Sequence, residues 1–179
     1  GTTNAGIIDD LAGISEVARA QEMWLHVDAA YGGAGLLAPS VRDQFNGIEC
    51  ADSITMDPHK WWFTPFDVAA ILYRDPKLAA SVHTQDASYL DVLHEDDSLI
   101  NPTDLAYHLT RRARGLPLWF SVVVNGTKAY SDAVEASIAL TNKVAEYIRA
   151  HDDLELVIEP SLSVVLWRRK GWKASDYRH

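Results

Sequence analysis

The chain has 179 residues, 47% of them hydrophobic and 23% charged, with a formal net charge of −9. That length can bury a real core, and the composition is ordinary for a soluble globular protein. The acidic balance argues against nucleic acid as a partner, because the two basic clusters, Arg111-Arg112-Ala113-Arg114 and Trp167-Arg168-Arg169-Lys170, read as solvated element ends. Cys50 is the only cysteine, so no disulfide forms within the chain. No apolar run approaches the ~20 residues of a membrane helix, and a cytoplasmic location away from membranes is expected.

In chain order, Asp9 to Gln21 reads as an amphipathic helix with Leu11, Ile14, Val17 and Ala18 on one face, capped by Asp9 or Asp10. Met23 to Val27 reads as a buried strand that runs into the polar end His26-Val27-Asp28-Ala29-Ala30-Tyr31-Gly32-Gly33. Pro39 to Phe45 predicts a short helix, Ser53 to Met56 a second strand and Val68 to Tyr73 a third. Helices alternating with apolar strands predict an α/β fold with a mostly parallel sheet, and in such sheets ligands sit beyond the carboxyl ends of the strands. Residues 82–103 are polar, acidic and without period, which predicts a long mobile loop. Val134, Ile138, Thr141, Ala145 and Ile148 step by four, three, four and three along one helix face. Leu154 to Ile158 and Ser163 to Trp167 then read as strands, and residues 115–179 as the start of a second, smaller domain after 1–114. The chain opens on Gly1-Thr2-Thr3 rather than methionine and ends in the polar run Lys173 to His179, so both ends read as cuts through a longer protein.

Asp28 ends one strand, and Lys60, in Asp57-Pro58-His59-Lys60-Trp61, follows the next. An acid and a lysine at neighbouring strand ends suit pyridoxal 5'-phosphate. The amine forms a Schiff base with the cofactor's aldehyde, and a carboxylate keeps its pyridine nitrogen protonated. Pro58, His59, Trp61, Trp62 and Phe63 are expected to crowd Lys60 and desolvate its amine, whereas the ordinary fate of a lysine after a strand is the surface. Asp28 also fits a simple turn or cap. Gly32 and Gly33 permit close backbone approach. His26, His83, His94 and His108 have irregular spacing without a metal-ligand signature.

The ordered set Gly1-Thr-Thr3, Trp24-Leu-His-Val-Asp28-Ala-Ala30-Tyr, Asn46-Gly-Ile-Glu-Cys-Ala-Asp-Ser53, Pro58-His-Lys-Trp61, Ser88-Tyr89-Leu90 and Arg111-Arg112 resembles the group II pyridoxal-phosphate-dependent amino-acid decarboxylases of the aromatic-L-amino-acid decarboxylase type. The match covers nearly the whole chain but less than half of a family member. The resemblance implies an aminotransferase-like fold (fold type I). Residues 1–114 would be the C-terminal half of its cofactor-binding large domain, with the catalytic loop at about 82–103, and 115–179 the beginning of a small α+β domain. It implies Lys60 as the Schiff-base lysine, Asp28 on the pyridinium nitrogen and Ala30 packed flat against the ring. His59 would lie by the phosphate, where a ring N–H donor is useful, and Thr3, in preference to Thr2, near the ring hydroxyl.

Tyr89 falls where the family carries the tyrosine that protonates the α-carbon of the quinonoid after carbon dioxide leaves, help worth ~10²–10⁴-fold in rate. Relatives with phenylalanine there form an aldehyde instead, so tyrosine favours simple decarboxylation of an L-amino acid. Asp57 departs from the asparagine of the animal enzymes. A carboxylate would repel a phosphate dianion unless it turns away or meets a cation, so it receives no phosphate-binding role. The family also implies a homodimer with active sites at the interface. The phosphate-binding loop and the ring-stacking histidine would lie outside this chain. An aldehyde synthase, a transaminase or a carbon–carbon lyase on the same fold are the alternative reactions, and a piece inactive without its missing half is the alternative of another class.

Overall fold

A computed structural model describes residues 2–83 and 102–178. Helix α1 spans Leu11–Ala20, and the Asp10 side chain caps it by accepting the Gly13 amide at 3.0 Å, which satisfies one of the amides the first turn leaves unpaired. Its apolar face is only partly covered, since Leu11 is buried while Ile14 and Val17 are 44% and 63% exposed. The chain then enters β1 (His26–Asp28), β2 (Ser53–Met56) and β3 (Ala70–Tyr73), a three-stranded sheet in that order. Leu11, Leu25, Val27, Ala29 and Ala51 form the core between α1 and this sheet.

The β1–β2 pair is parallel, with Asp28 opposite Thr55, as expected from the alternation of helices and strands. The β2–β3 pair is antiparallel, with Met56 opposite Ala70, so the described sheet is mixed rather than mostly parallel. The reason lies in the connection. Residues 57–69 contain no crossover helix to carry the chain back to the start of β2, and without one the next strand runs antiparallel.

Helix α2 covers Pro76–His83, and α3 runs from Gly115 to Ala150 with a break at Gly126, whose φ of 74° is left-handed. Beyond that break, Tyr130, Val134, Ile138, Thr141, Ala145 and Ile148 are all buried, which is the face expected from the sequence. Val134, Ile138 and Trp61 join Ala34, Ala38, Val41, Phe45 and Leu162 in a second core. Ser131 Oγ donates to Leu37 O at 2.7 Å, and Glu135 accepts from both Ser40 N and Ser40 Oγ at 2.9 and 2.7 Å. These contacts lay α3 across the 3₁₀ segment Gly32–Leu37 that follows β1.

The last hairpin pairs β4 (Leu154–Leu156) with β5 (Trp167–Arg169) in antiparallel register. The second strand therefore starts at Trp167 instead of Ser163. Leu162 is 1% exposed in the core and Ser163 bonds to Tyr31, so this stretch is committed inward and the chain is free to pair only further on.

Candidate functional site

Asp28 ends β1, and the parallel register brings it opposite Thr55 on β2. The connection continues in kind, since Ala29 N donates to Thr55 O at 2.9 Å and Asp57 N donates to Ala30 O at 3.2 Å. The carboxyl ends of the two strands are thus tied side by side. Asp28 Oδ1 accepts the Ala30 amide at 3.0 Å, a local turn that orients the carboxylate.

Past β2 the chain closes a tight turn, with Lys60 N donating to Asp57 O at 2.9 Å and Pro58 in the second turn position, where its fixed φ is favoured. This turn sets residues 57 and 60 on one side. Lys60 Nζ sits 2.7 Å from Asp57 Oδ2, with the lysine side chain 46% exposed and the aspartate 14%. Asp57 therefore meets a cation in Lys60. The expected crowding of Lys60 does not occur among the described residues. Trp61 turns into the core at 6% exposure, with Nε1 donating to Ser137 Oγ at 2.8 Å, while Phe63 is 56% exposed. Successive residues of the turn point apart, so aromatic neighbours in sequence do not become a wall around the amine.

His59 Nδ1 lies 2.5 Å from Val68 O and 3.2 Å from Val68 N, and its ring meets Phe66 edge-on at 4.9 Å. One nitrogen cannot serve both backbone groups at once. When the Val68 amide donates to Nδ1, Nε2–H is the ring donor that remains. Thr3 lies exposed in the turn closed by the Thr2–Ile7 bridge. Tyr89 lies outside the described residues.

A feature without a role in the sequence reading braces the two sides of the site. Tyr31, just past Asp28, stacks on Trp61, just past Lys60, with ring centroids 5.1 Å apart and planes at 22°. The only sequence signal was an aromatic residue after each of the two motifs. Asp67, further along the same connection, pairs with Arg114 at 3.1 Å, and that guanidinium holds its carboxyl below the ordinary value of 3.8.

The donor set fits pyridoxal phosphate: a carboxylate for the ring nitrogen, a primary amine for the aldehyde and an imidazole for the phosphate, all from two adjacent strand ends. A cavity of about 610 Å³ lies elsewhere, lined by Ala69, Pro102, Thr103 and residues 109–115.

The family model described as "Pyridoxal-dependent decarboxylase conserved domain" matches residues 1–170. The chain is 36% identical over 169 residues to an L-2,4-diaminobutyrate decarboxylase of Acinetobacter baumannii, covering 94% of this chain and 33% of that protein. It is 33% identical over 174 residues to an aromatic-L-amino-acid decarboxylase of Cavia porcellus, covering 96% of this chain and 36% of that protein. Among solved structures, that of Oryza sativa TDC with PLP and tryptamine superposes with a TM-score of 0.87 at 28% identity, over 95% of this chain and 35% of that one. The chain spans about a third of the length of these relatives.

Proposed function

The chain belongs to the pyridoxal-dependent decarboxylase family, and on that premise we propose that the protein removes the carboxyl group of an L-amino acid as carbon dioxide and leaves the amine. The observation that carries the proposal is the presentation of Asp28 and Lys60 from the tied carboxyl ends of β1 and β2. When bound, pyridoxal phosphate would supply the electron sink for the pair left behind by the departing carboxylate.

The chain's own residues do the rest. Lys60 would provide the amine that holds the cofactor covalently and, at the end, displace the amine product. The Asp28 carboxylate would hold a proton on the ring nitrogen, so that developing negative charge would meet a preorganised positive one. Ala30 would leave room for a flat ring, His59 would serve the phosphate, and Thr3 the ring hydroxyl. Tyr89 would return a proton to the α-carbon, which directs the reaction to the amine. Residues 1–114 then belong to the cofactor domain and 115–179 to the start of the small domain. Further residues of a family-length protein, as a cytoplasmic homodimer, would complete the phosphate and side-chain pockets.

The relatives named above act on different amino acids, so the proposal extends to the reaction and leaves the side chain open. The test is reduction of the cofactor-loaded intact protein with borohydride, followed by peptide mass analysis. A cofactor-sized adduct on Lys60, absent from Lys60→Ala, is expected. An adduct on another lysine would overturn the assignment.

A further inference from the structure

Asp57 is the one charged group of the site that the proposed reaction does not use. It is nearly buried, it is fixed by backbone bonds at both faces of its turn, and its carboxylate lies 2.7 Å from Lys60 Nζ. We propose that Asp57 is a positioning residue that parks Lys60: the ion pair holds the lysine side chain along its own turn, and cofactor loading requires its release. The inference rests on the assignment of Lys60 as the cofactor lysine.

The chemistry of loading gives the pair its consequence. An ammonium has no lone pair, so Lys60 must first give a proton to solvent. Its nitrogen then attacks the aldehyde carbon, the C=N bond forms, and the carbonyl oxygen leaves as water. Nothing is oxidised or reduced. The contact between the Lys60 amine and Asp57 must be broken before that attack. Asparagine at position 57 keeps the size and a polar tip but removes the charge. The turn itself survives the change, because it is closed by the Lys60 N to Asp57 O and Asp57 N to Ala30 O backbone bonds.

The size of the effect follows from exposure. With the lysine 46% exposed, the pair is screened, and pairs of this kind shift equilibria by up to about fivefold. Asp57 is thus expected to delay loading without preventing it.

The test uses the intact protein freed of cofactor by dialysis and mixed with either pyridoxal or pyridoxal phosphate. Borohydride quenching at intervals and mass analysis of the Lys60 peptide give the loading rate. Asp57→Asn should load up to about fivefold faster with both aldehydes, and Asp57→Glu should stay close to the wild type. Added salt should speed the wild type towards the Asp57→Asn rate with pyridoxal and leave that variant unchanged. Equal rates for wild type and Asp57→Asn with pyridoxal would overturn the proposal. So would an acceleration confined to pyridoxal phosphate, which would mean that Asp57 acts on the phosphate and not on Lys60. Should Asp57→Asn fail to fold, a wild-type pyridoxal rate indifferent to salt overturns it alone. Equal rates at a labelled Lys60 leave the proposed function standing; a label on a different lysine removes both.

Discussion

Tyr31 lies face to face with Trp61 at 5.1 Å and also reaches Ser163, its hydroxyl 2.5 Å from Ser163 Oγ and accepting the Ser163 amide at 3.1 Å. One side chain therefore joins three pieces of chain: the end of β1, the turn that carries Lys60 and the stretch before β5. The site's two strand ends are braced from behind by this stack, and Trp61 passes the brace to α3 through Ser137.

Removing only the hydroxyl separates the stack from the tether. Tyr31→Phe keeps the rings and loses both bonds to Ser163, which should lower stability by about 1–2 kcal/mol at ~1 kcal/mol for each hydrogen bond. Trp61→Ala should cost more, about 3–5 kcal/mol, because it empties a buried indole site. Denaturant unfolding of the two variants checks the order. Tyr31→Phe costing as much as Trp61→Ala would contradict it.

Thr64 follows the Lys60 turn at 6% exposure, and its Oγ1 is a buried side-chain oxygen with no hydrogen-bond partner among the described residues. A buried unpaired hydroxyl carries its full desolvation cost. Thr64→Val, similar in shape, should therefore leave stability unchanged or raise it by about 1 kcal/mol. A clear loss in thermal unfolding would mean that the hydroxyl meets a partner in the assembled protein.

Helix α3 divides at Gly126. Val134, beyond the break, is fully buried, whereas Val124, before it, is 78% exposed. Val134→Ala should cost about 2 kcal/mol, and Val124→Ala should stay within ~0.5 kcal/mol when the chain is measured alone. Equal costs would show that the first half of α3 is also covered by protein.

Asp67 gives a pH signature. The Arg114 hydrogen bond lowers its folded-state pKa below 3.8. The unfolded chain therefore binds the proton more readily than the folded one. The pair's contribution is fully present above 3.8 and is lost as pH falls through the lower folded value. The melting temperature of the wild type should exceed that of Asp67→Asn at neutral pH, and the gap should close in acid. A gap that widens below 3.8 would contradict the assignment.

Much of this was legible in the residues. A cap at Asp9 or Asp10, strand Ser53–Met56 and the buried face of α3 follow from local periodicity and capping, and the structure has the strand and the face there and the cap at Asp10. Asp28 and Lys60 could be placed at neighbouring strand ends because Asp28 closes one apolar strand and Lys60 lies a tight turn past the next. The antiparallel β3 was hidden, because strand direction depends on what the connection contains and not on the strand's own pattern. The late start of β5 was hidden too, because it depends on Leu162 and Ser163 being held by residues more than a hundred positions away. The Asp57–Lys60 pair was within reach of a turn argument, since Pro at the second position of a four-residue turn brings its first and last residues together.

Decarboxylation at the Lys60 site is read most directly by product analysis on the intact, cofactor-loaded protein supplied with a panel of L-amino acids. Carbon dioxide and the corresponding amine should appear in equal amounts from at least one amino acid, and neither should appear with Lys60→Ala. Aldehyde with hydrogen peroxide in place of amine, or turnover retained by Lys60→Ala, would contradict the account.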